Sequence, residues 1–493
     1  MTVSAPSPVT HNPLRRIGGD IWSELRTKGS WPPGLSRFDM RRTMEFVHRP
    51  LPILLAAYEE FGPVFSLRVF HERFVFMLGP EANHYMLVSH APNFSWRDGD
   101  FGQLIPLMGD GLLTIDGDYH KRARRIMLPA FHTESIAGAV GAIVEEAQAA
   151  LAPWRPGEVV DVYHWMRELA MRIAMRALLG LDPDDAGSGA RAAHHFERAL
   201  GYYGTGPLAR SARGPGTAWR RMLASREVLD GLIYGEIARR RRIGDPEPRD
   251  ILGMLLAARD EDGSVLSDEE VRHQVMTLMF AGHDTTTSTV SFMLYELARH
   301  PHALARLYAE QDAVLGGATP TAAQLARELP ELDMALDETL RLYPPAWIGP
   351  RRAVDAYEFA GHRVPAGAFT AYSSWASHRL PHVFPEPEAF LPERFSAERK
   401  AKLPKGAYVP FGAGSRTCIG MRFGQMEIKA IVTLLLLRFR VELLPGRTMV
   451  IRQMPTLSPK GGLSMTVRER GLPDPLTAPA PRPAVAPAPR AAA

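Results

Sequence analysis

Apolar residues recur at three- and four-residue spacing over 158–179, 219–242, 268–299 and 332–342. That is the period of a helix with one face turned inward, so the spacing predicts long helices there. Ser267 followed by Asp268, Glu269 and Glu270 reads as a helix start, a hydroxyl cap with acidic residues at the positive end of the dipole. His300-Pro301 marks the far end, because the residue before proline avoids helical angles. Two short runs rich in β-branched and aromatic residues, 64–69 and 74–78, flank a polar His71-Glu72-Arg73 turn and stop at Gly79-Pro80, which predicts a hairpin. Strands are also predicted at 358–364 and 369–372, with Pro365-Ala366-Gly367 turning between them. No repeat or compositional break divides the body. The expected fold class is mainly α with small β regions, one helix-rich domain over 46–472. Residues 1–45 are expected to be an irregular lead-in. Residues 473–493, almost only Ala, Pro and Arg from 477 onward, carry too little apolar surface to order themselves.

With 493 residues, 45% of them hydrophobic, the chain can bury a large core. A formal charge of +4 is too mild for a nucleic-acid binder, and the basic runs at 121–125 and 239–242 are short enough to be solvated helix faces. The longest apolar stretch, 430–437, falls far short of the ~20 residues that span a bilayer. The first 22 residues are polar, broken by Pro6, Pro8 and Pro13, with no apolar signal core. These features lead us to expect a cytoplasmic chain without a membrane span.

There is one cysteine, which excludes an internal disulfide, a cysteine-ligated iron–sulfur cluster and an all-cysteine zinc site. It lies in Phe411-Gly-Ala-Gly-Ser-Arg-Thr-Cys418-Ile-Gly420, just before an apolar helical stretch. Three glycines in ten residues let the backbone pass close to something flat or bulky. Helix N-terminal N–H groups and Arg416 are expected to stabilise a thiolate and lower its pKa. A buried structural cysteine would not need this frame. A catalytic thiol would need a base, and no histidine is near in sequence. Distance in sequence does not exclude such a base, but a metal-ligating thiolate fits best, and with no other cysteine a macrocycle suits the metal better than a protein cage.

The segment resembles the cysteine-ligand loop of cytochromes P-450, Phe-x-x-Gly-x-Arg-x-Cys-x-Gly. Phe411, Gly414, Arg416, Cys418 and Gly420 occupy every fixed position. The resemblance implies that Cys418 is the axial ligand of haem b (iron protoporphyrin IX). It places the haem between an oxygen-activation helix and the cysteine-loop helix, in a soluble, bacterial-type member. Ala281-Gly282-His283-Asp284-Thr285-Thr286 sits inside a long helical pattern. Gly282 weakens it, and the Thr285 hydroxyl can bond the carbonyl of Ala281 and bend it. The segment resembles the family's oxygen-activation motif, which assigns Thr285 to stabilising iron-bound oxygen and Asp284 to relaying protons; Ala281 and Gly282 would line the haem. Glu338 and Arg341, three apart on one helix face, would on their own be a surface pair. They match the family's Glu-x-x-Arg, which with Arg394 implies a buried triad. The resemblance also assigns His120, Arg124, Arg351 and Arg416 to the haem propionates, with Arg352 a rival to Arg351.

The implied reaction inserts one oxygen atom from O2 into a C–H bond or across a C=C, the other leaving as water. Electrons would come from a separate ferredoxin or flavodoxin with its reductase, docking on a basic face near Arg122, Arg125, Arg422 and Lys429. A peroxide-driven peroxygenase and a haem carrier or sensor without turnover are the alternatives, and the intact Asp284-Thr285 pair speaks against the first. Phe101, Leu104, Ile105, Leu107, Trp347 and Ile348 suit a small lipophilic substrate such as a fatty acid, terpenoid or steroid-like molecule. A monomer is expected.

Overall fold

A computed structural model describes residues 11–27, 31–244 and 250–471. The tail at 473–493 lies wholly outside the described residues. The helices that build the site are α1 (Pro13–Arg26), α2 (Met40–His48), α3 (Gly117–Met127), α4 (Thr133–Leu151), α5 (Val162–Leu179), α6 (Gly189–Leu200), α7 (Ala218–Ile243), α8 (Asp268–Arg299), α9 (Pro330–Leu342) and α10 (Met421–Arg438). The mainly α class holds, with the strands gathered into small sheets.

Helix α8 is the axis of the molecule. Its start is the predicted one: Ser267 caps the Glu270 N–H and Glu270 returns to the Ser267 N–H, a reciprocal pair that satisfies two orphan donors. From Val271 to Leu297 nearly every side chain is buried, which explains why its apolar spacing is less one-sided than that of a surface helix. It packs against α5, α7, α9 and α10.

The predicted hairpin is β2 (Val64–Val69) with β3 (Glu72–Met77), after the short β1 (Gly34–Leu35). The turn is tighter than expected. Val69 pairs with Glu72, so Phe70 and His71 alone make it, and Phe70 sits at φ +52°. With β4 (Phe94–Ser95), β6 (Gly349–Ala353) and β9 (Phe369–Tyr372) they form a six-stranded sheet in the order β1-β2-β3-β9-β6-β4. Three expectations are corrected. The strand expected at 358–364 is a hairpin, β7 (Tyr357–Phe359) and β8 (His362–Val364), because Ala360 and Gly361 both adopt positive φ. The helix expected from 158 begins only at Val162. Residues Val159–Asp161 form β5, paired to β11 (Ser464–Glu469), which also pairs with β10 (Phe439–Leu443); Asp161 turns the chain by capping the His164 N–H. The lead-in is not irregular, since it contains α1 and α2.

Candidate active site around Cys418

The cysteine loop is held by its own backbone. The Cys418 N–H donates to the Phe411 carbonyl at 2.9 Å, and Thr417 bonds the Gly414 carbonyl through its hydroxyl at 2.8 Å. Gly412 and Gly414 take φ of +69° and +65°, and a Cβ on Gly414 would lie 2.3 Å from the Leu87 carbonyl oxygen, so glycine is required there. Gly420 ends the loop as the N-cap of α10. Cys418 is exposed, yet it lies deep among protein atoms, so its open side faces an interior space. The expected lowering of its pKa is not what the surroundings produce. Burial pushes the thiol up, outweighing the Gly420 N–H and the Arg124 charge. A bound metal cation is what would hold this sulfur deprotonated.

The facing wall is α8. Within its buried run only Phe280, Ala281, Gly282 and Thr285 are half-exposed. The last three share one face by their three- and four-residue spacing, and a Cβ on Gly282 would meet nothing within 4 Å. Phe280 from this helix and Ile419 and Phe423 from the cysteine side pack onto the same apolar cluster, which brings the two walls together. The Thr285 hydroxyl donates to the Ala281 carbonyl at 2.7 Å, as the sequence predicts, while α8 remains an uninterrupted helix.

Asp284, one residue earlier, points the other way. It accepts from Arg167 Nη1 of α5 at 2.9 Å, and His283 Nδ1 lies 3.3 Å from it. His283 Nε2 is 3.0 Å from Glu197 of α6, which also pairs with Arg167. Burial alone would raise the Asp284 carboxyl and lower the His283 imidazole. The facing charges reverse both: Asp284 is held below the usual carboxylate range and His283 is raised to about 9. Arg167 and Glu197, and the part His283 plays between Asp284 and Glu197, are absent from the sequence reading. On the next face Thr286 donates to Glu427 of α10 at 3.1 Å, and burial pushes that carboxyl up to about 8.

Cations gather at the rim. Strand β6 alternates, so its two arginines diverge. Arg351 points inward, nearly fully buried, its guanidinium 3.4 Å from the centre of the Trp96 ring. Among the described residues it forms no ion pair, and burial lowers its pKa to about 10. Arg352 points outward onto Asp20 and the Asp98 and Gly367 carbonyls. Arg416 lies 5.2 Å from the centre of the same Trp96 ring and is already engaged by the Leu112 and Ile115 carbonyls and Asp116. His120 is buried on α3, and burial with the charges of Arg416 and Arg124 drops its pKa to about 3, so it is a neutral donor or acceptor. Arg124, one turn on, is half-buried, and its charge acts on the Cys418 sulfur. A buried guanidinium that forms no ion pair among the described residues, next to an open-sided thiol and a helix face with room for a Cβ, fits a flat metal macrocycle carrying anionic side groups. Trp96, missed in the sequence, is the platform for two of these arginines; a lone loop tryptophan carries no motif that could have marked it.

The chain matches the Cytochrome P450 family over residues 48–467. It belongs to the cytochrome P450 family. It is 35% identical over 415 residues to cyclooctat-9-en-7-ol 5-monooxygenase of Streptomyces melanosporofaciens, covering 83% of this chain and 88% of that protein. It is also 35% identical over 365 residues to cyclooctatin synthase of the same organism, covering 72% and 78%. Among solved structures it resembles a retinoic-acid-bound cyanobacterial CYP120A1, with TM-score 0.79, 28% identity, and coverage of 90% of this chain and all of that one. A cytochrome P450DA haem domain gives TM-score 0.81 at 28% identity, covering 90% and 98%. The protein is an oxidoreductase, a P450 monooxygenase with a haem cofactor, using O2, a substrate and a redox partner.

In this P450 the Glu338–Arg341 pair is no surface pair. Both side chains are fully buried and meet through two bonds of 2.7 and 2.8 Å, and Arg394 Nε stands 3.4 Å from Glu338. The basic face expected for a redox partner is largely neutralised. Lys429 is buried against Asp333, Arg122 is bonded to Glu270, and Arg125 is bonded to Asp260. Two residues expected at the substrate also lie in core. Leu107 is fully buried, and Trp347 packs against Phe46 and Trp375 with its Nε1 on the Gln453 carbonyl. Among the described residues no single helix is long and apolar enough to cross a membrane.

Proposed function

We propose that this P450 oxidises a lipophilic, largely hydrocarbon substrate, with electrons from a separate ferredoxin or flavodoxin and its reductase, and that it acts as a monomer. The observation that carries this reading is the half-exposed face Ala281, Gly282 and Thr285 within an otherwise buried helix. It leaves space beside apolar groups and one hydroxyl, and the half-buried Phe101, Leu104, Ile105 and Ile348 would complete its lining. The names of the relatives point the same way, an unsaturated alcohol for one and retinoic acid for the other.

When bound, haem supplies the iron at which O2 is reduced and one oxygen atom passes to the substrate. The chain's part is to bind, orient and move protons. Cys418 would hold the haem iron through its sulfur. Arg351, with Arg124, Arg416 and His120, would hold the propionates, and Phe411 and Gly420 would frame the sulfur. Thr285 would present its hydroxyl to the oxygen site. Asp284, fixed as a carboxylate by Arg167 and His283, would pass protons toward Thr285 through water.

The test begins with the reduced, CO-treated protein, whose Soret band should be strongly red-shifted as in thiolate-ligated haem. Cys418→Ser should abolish that band, and its persistence would sink the ligand assignment. A spectral binding screen of fatty acids, terpenoids and steroids would then be followed by turnover with NADPH and surrogate partners. Product with peroxide alone would favour the peroxygenase.

A further inference from the structure

Helix α1 is mounted inside out. Its inward face is charged, at four-residue spacing: Arg16 bonds Glu72 and Asp100, Asp20 bonds Arg352, and Glu24 bonds Arg68. Its outward face carries Leu14, Ile21, Trp22 and Leu25, and Leu14, Trp22 and Leu25 are 78%, 55% and 80% exposed. A soluble helix normally does the reverse. Helix α2 and the residue two before it continue the theme, with Phe38, Met40, Met44 and Val47 all exposed. The two helices flank one hairpin tip, where His71 lies by Asp20 and the Phe70 N–H meets the Thr43 hydroxyl. Arg68 ties them, reaching Glu24 of α1 and the Ser36 carbonyl before α2. Both helices begin before the region that matches the family model, residues 48–467.

The charge around the patch is predominantly basic. Arg15, Arg26, Arg37, Arg41 and Arg49 are exposed around it, with Glu45 the exposed acid on these helices, because Asp20 and Glu24 are turned inward. Arg26 lies 3.4 Å over the Trp22 ring, an amphipathic pair suited to an interface. We propose that this face docks in the plane of an anionic lipid surface, the arginines at the phosphates and the apolar side chains below them. A second copy is the poorer occupant, since a two-fold contact sets the same arginines against each other. An acidic protein would use the arginines and leave the convex apolar stripe wet.

The full-length holoprotein would be floated with vesicles of phosphatidylcholine alone and of phosphatidylcholine and phosphatidylglycerol in equal parts, at low and high salt. It should rise with the anionic vesicles at low salt and be released by high salt. Trp22→Ser with Leu25→Ser should cut the partition by about tenfold or more. Arg15→Glu with Arg41→Glu should cut it by roughly fivefold for each arginine removed. Both variants should keep the parent haem spectrum and melting temperature, because the changed side chains are exposed. The proposal is overturned by failure to float with anionic vesicles, by equal binding to the neutral ones, or by variants that bind as the parent does. A lipid-free dimer that the Trp22, Leu25 variant dissociates would give the face to a second copy instead.

Discussion

Glu338→Ala removes the acceptor at the centre of a fully buried charge cluster. Glu338 takes Arg341 Nε and Nη2 at 2.7 and 2.8 Å and the Leu391 N–H at 2.9 Å, and pairs with Arg394. Without it Arg341 keeps the carbonyls of His378, Pro387 and Ala389, at 3.1, 2.7 and 3.0 Å, but no counter-charge. Stranding one member of a buried pair costs about 3–5 kcal/mol. The orphaned Leu391 N–H adds roughly 1–3 kcal/mol. Against a total stability of about 5–15 kcal/mol this removes a large share or all of it. Lys402→Ala is the control, since it breaks an exposed pair with Glu398 worth ~0–1 kcal/mol. Expression yield, haem-to-protein ratio and urea midpoint would be compared across parent, Glu338→Ala, Glu338→Gln and Lys402→Ala. The alanine variant should give little haem-loaded protein, and glutamine, which keeps one acceptor and the volume, should fall between. Normal yield, full haem and a midpoint beside that of the Lys402 control would refute the reasoning.

Arg351→Ala should fold but release haem to apomyoglobin faster, by the ~1–3 kcal/mol of a charged hydrogen bond, whereas Arg352→Ala should leave release unchanged because its side chain points at Asp20; equal effects would dissolve the distinction. Thr285→Ala should keep haem and substrate binding but divert electrons from product to peroxide or water, and unchanged coupling of NADPH to product would remove Thr285 from the mechanism. His283, raised from 6.5 to about 9 by Asp284 and Glu197, stabilises the fold through its protonated form. That contribution is fully present below pH 6.5 and lost as pH rises through about 9. The melting-temperature gap between the parent and His283→Asn should therefore narrow across that window; a constant gap would mean the imidazolium charge plays no part.

What could be read from the sequence was what is local. The ends of α8 depend on Ser267, Glu270 and Pro301, all within a turn of the boundary they set, and the structure places them as read. The back-bond of Thr285 to Ala281 is equally local. The errors have a common physical form: a polar group whose partner is distant in sequence. Lys429 looked like surface because Asp333, which neutralises it, is 96 residues away. Residues 159–161 looked helical because β11, which makes them a strand, lies some 300 residues on. Helix α1 was invisible because its buried face is charged and its partners, Arg68, Glu72 and Arg352, sit on other elements, so an apolar-period reading assigns its faces the wrong way round. Asp284 shows the same gap inside the site itself. Its neighbour in the motif is Thr285, but the groups that set its charge are Arg167 of α5 and His283, the latter held in turn by Glu197 of α6. A motif names the groups that meet the reactants; the charges that tune those groups arrive through the fold, from helices on which no motif is written.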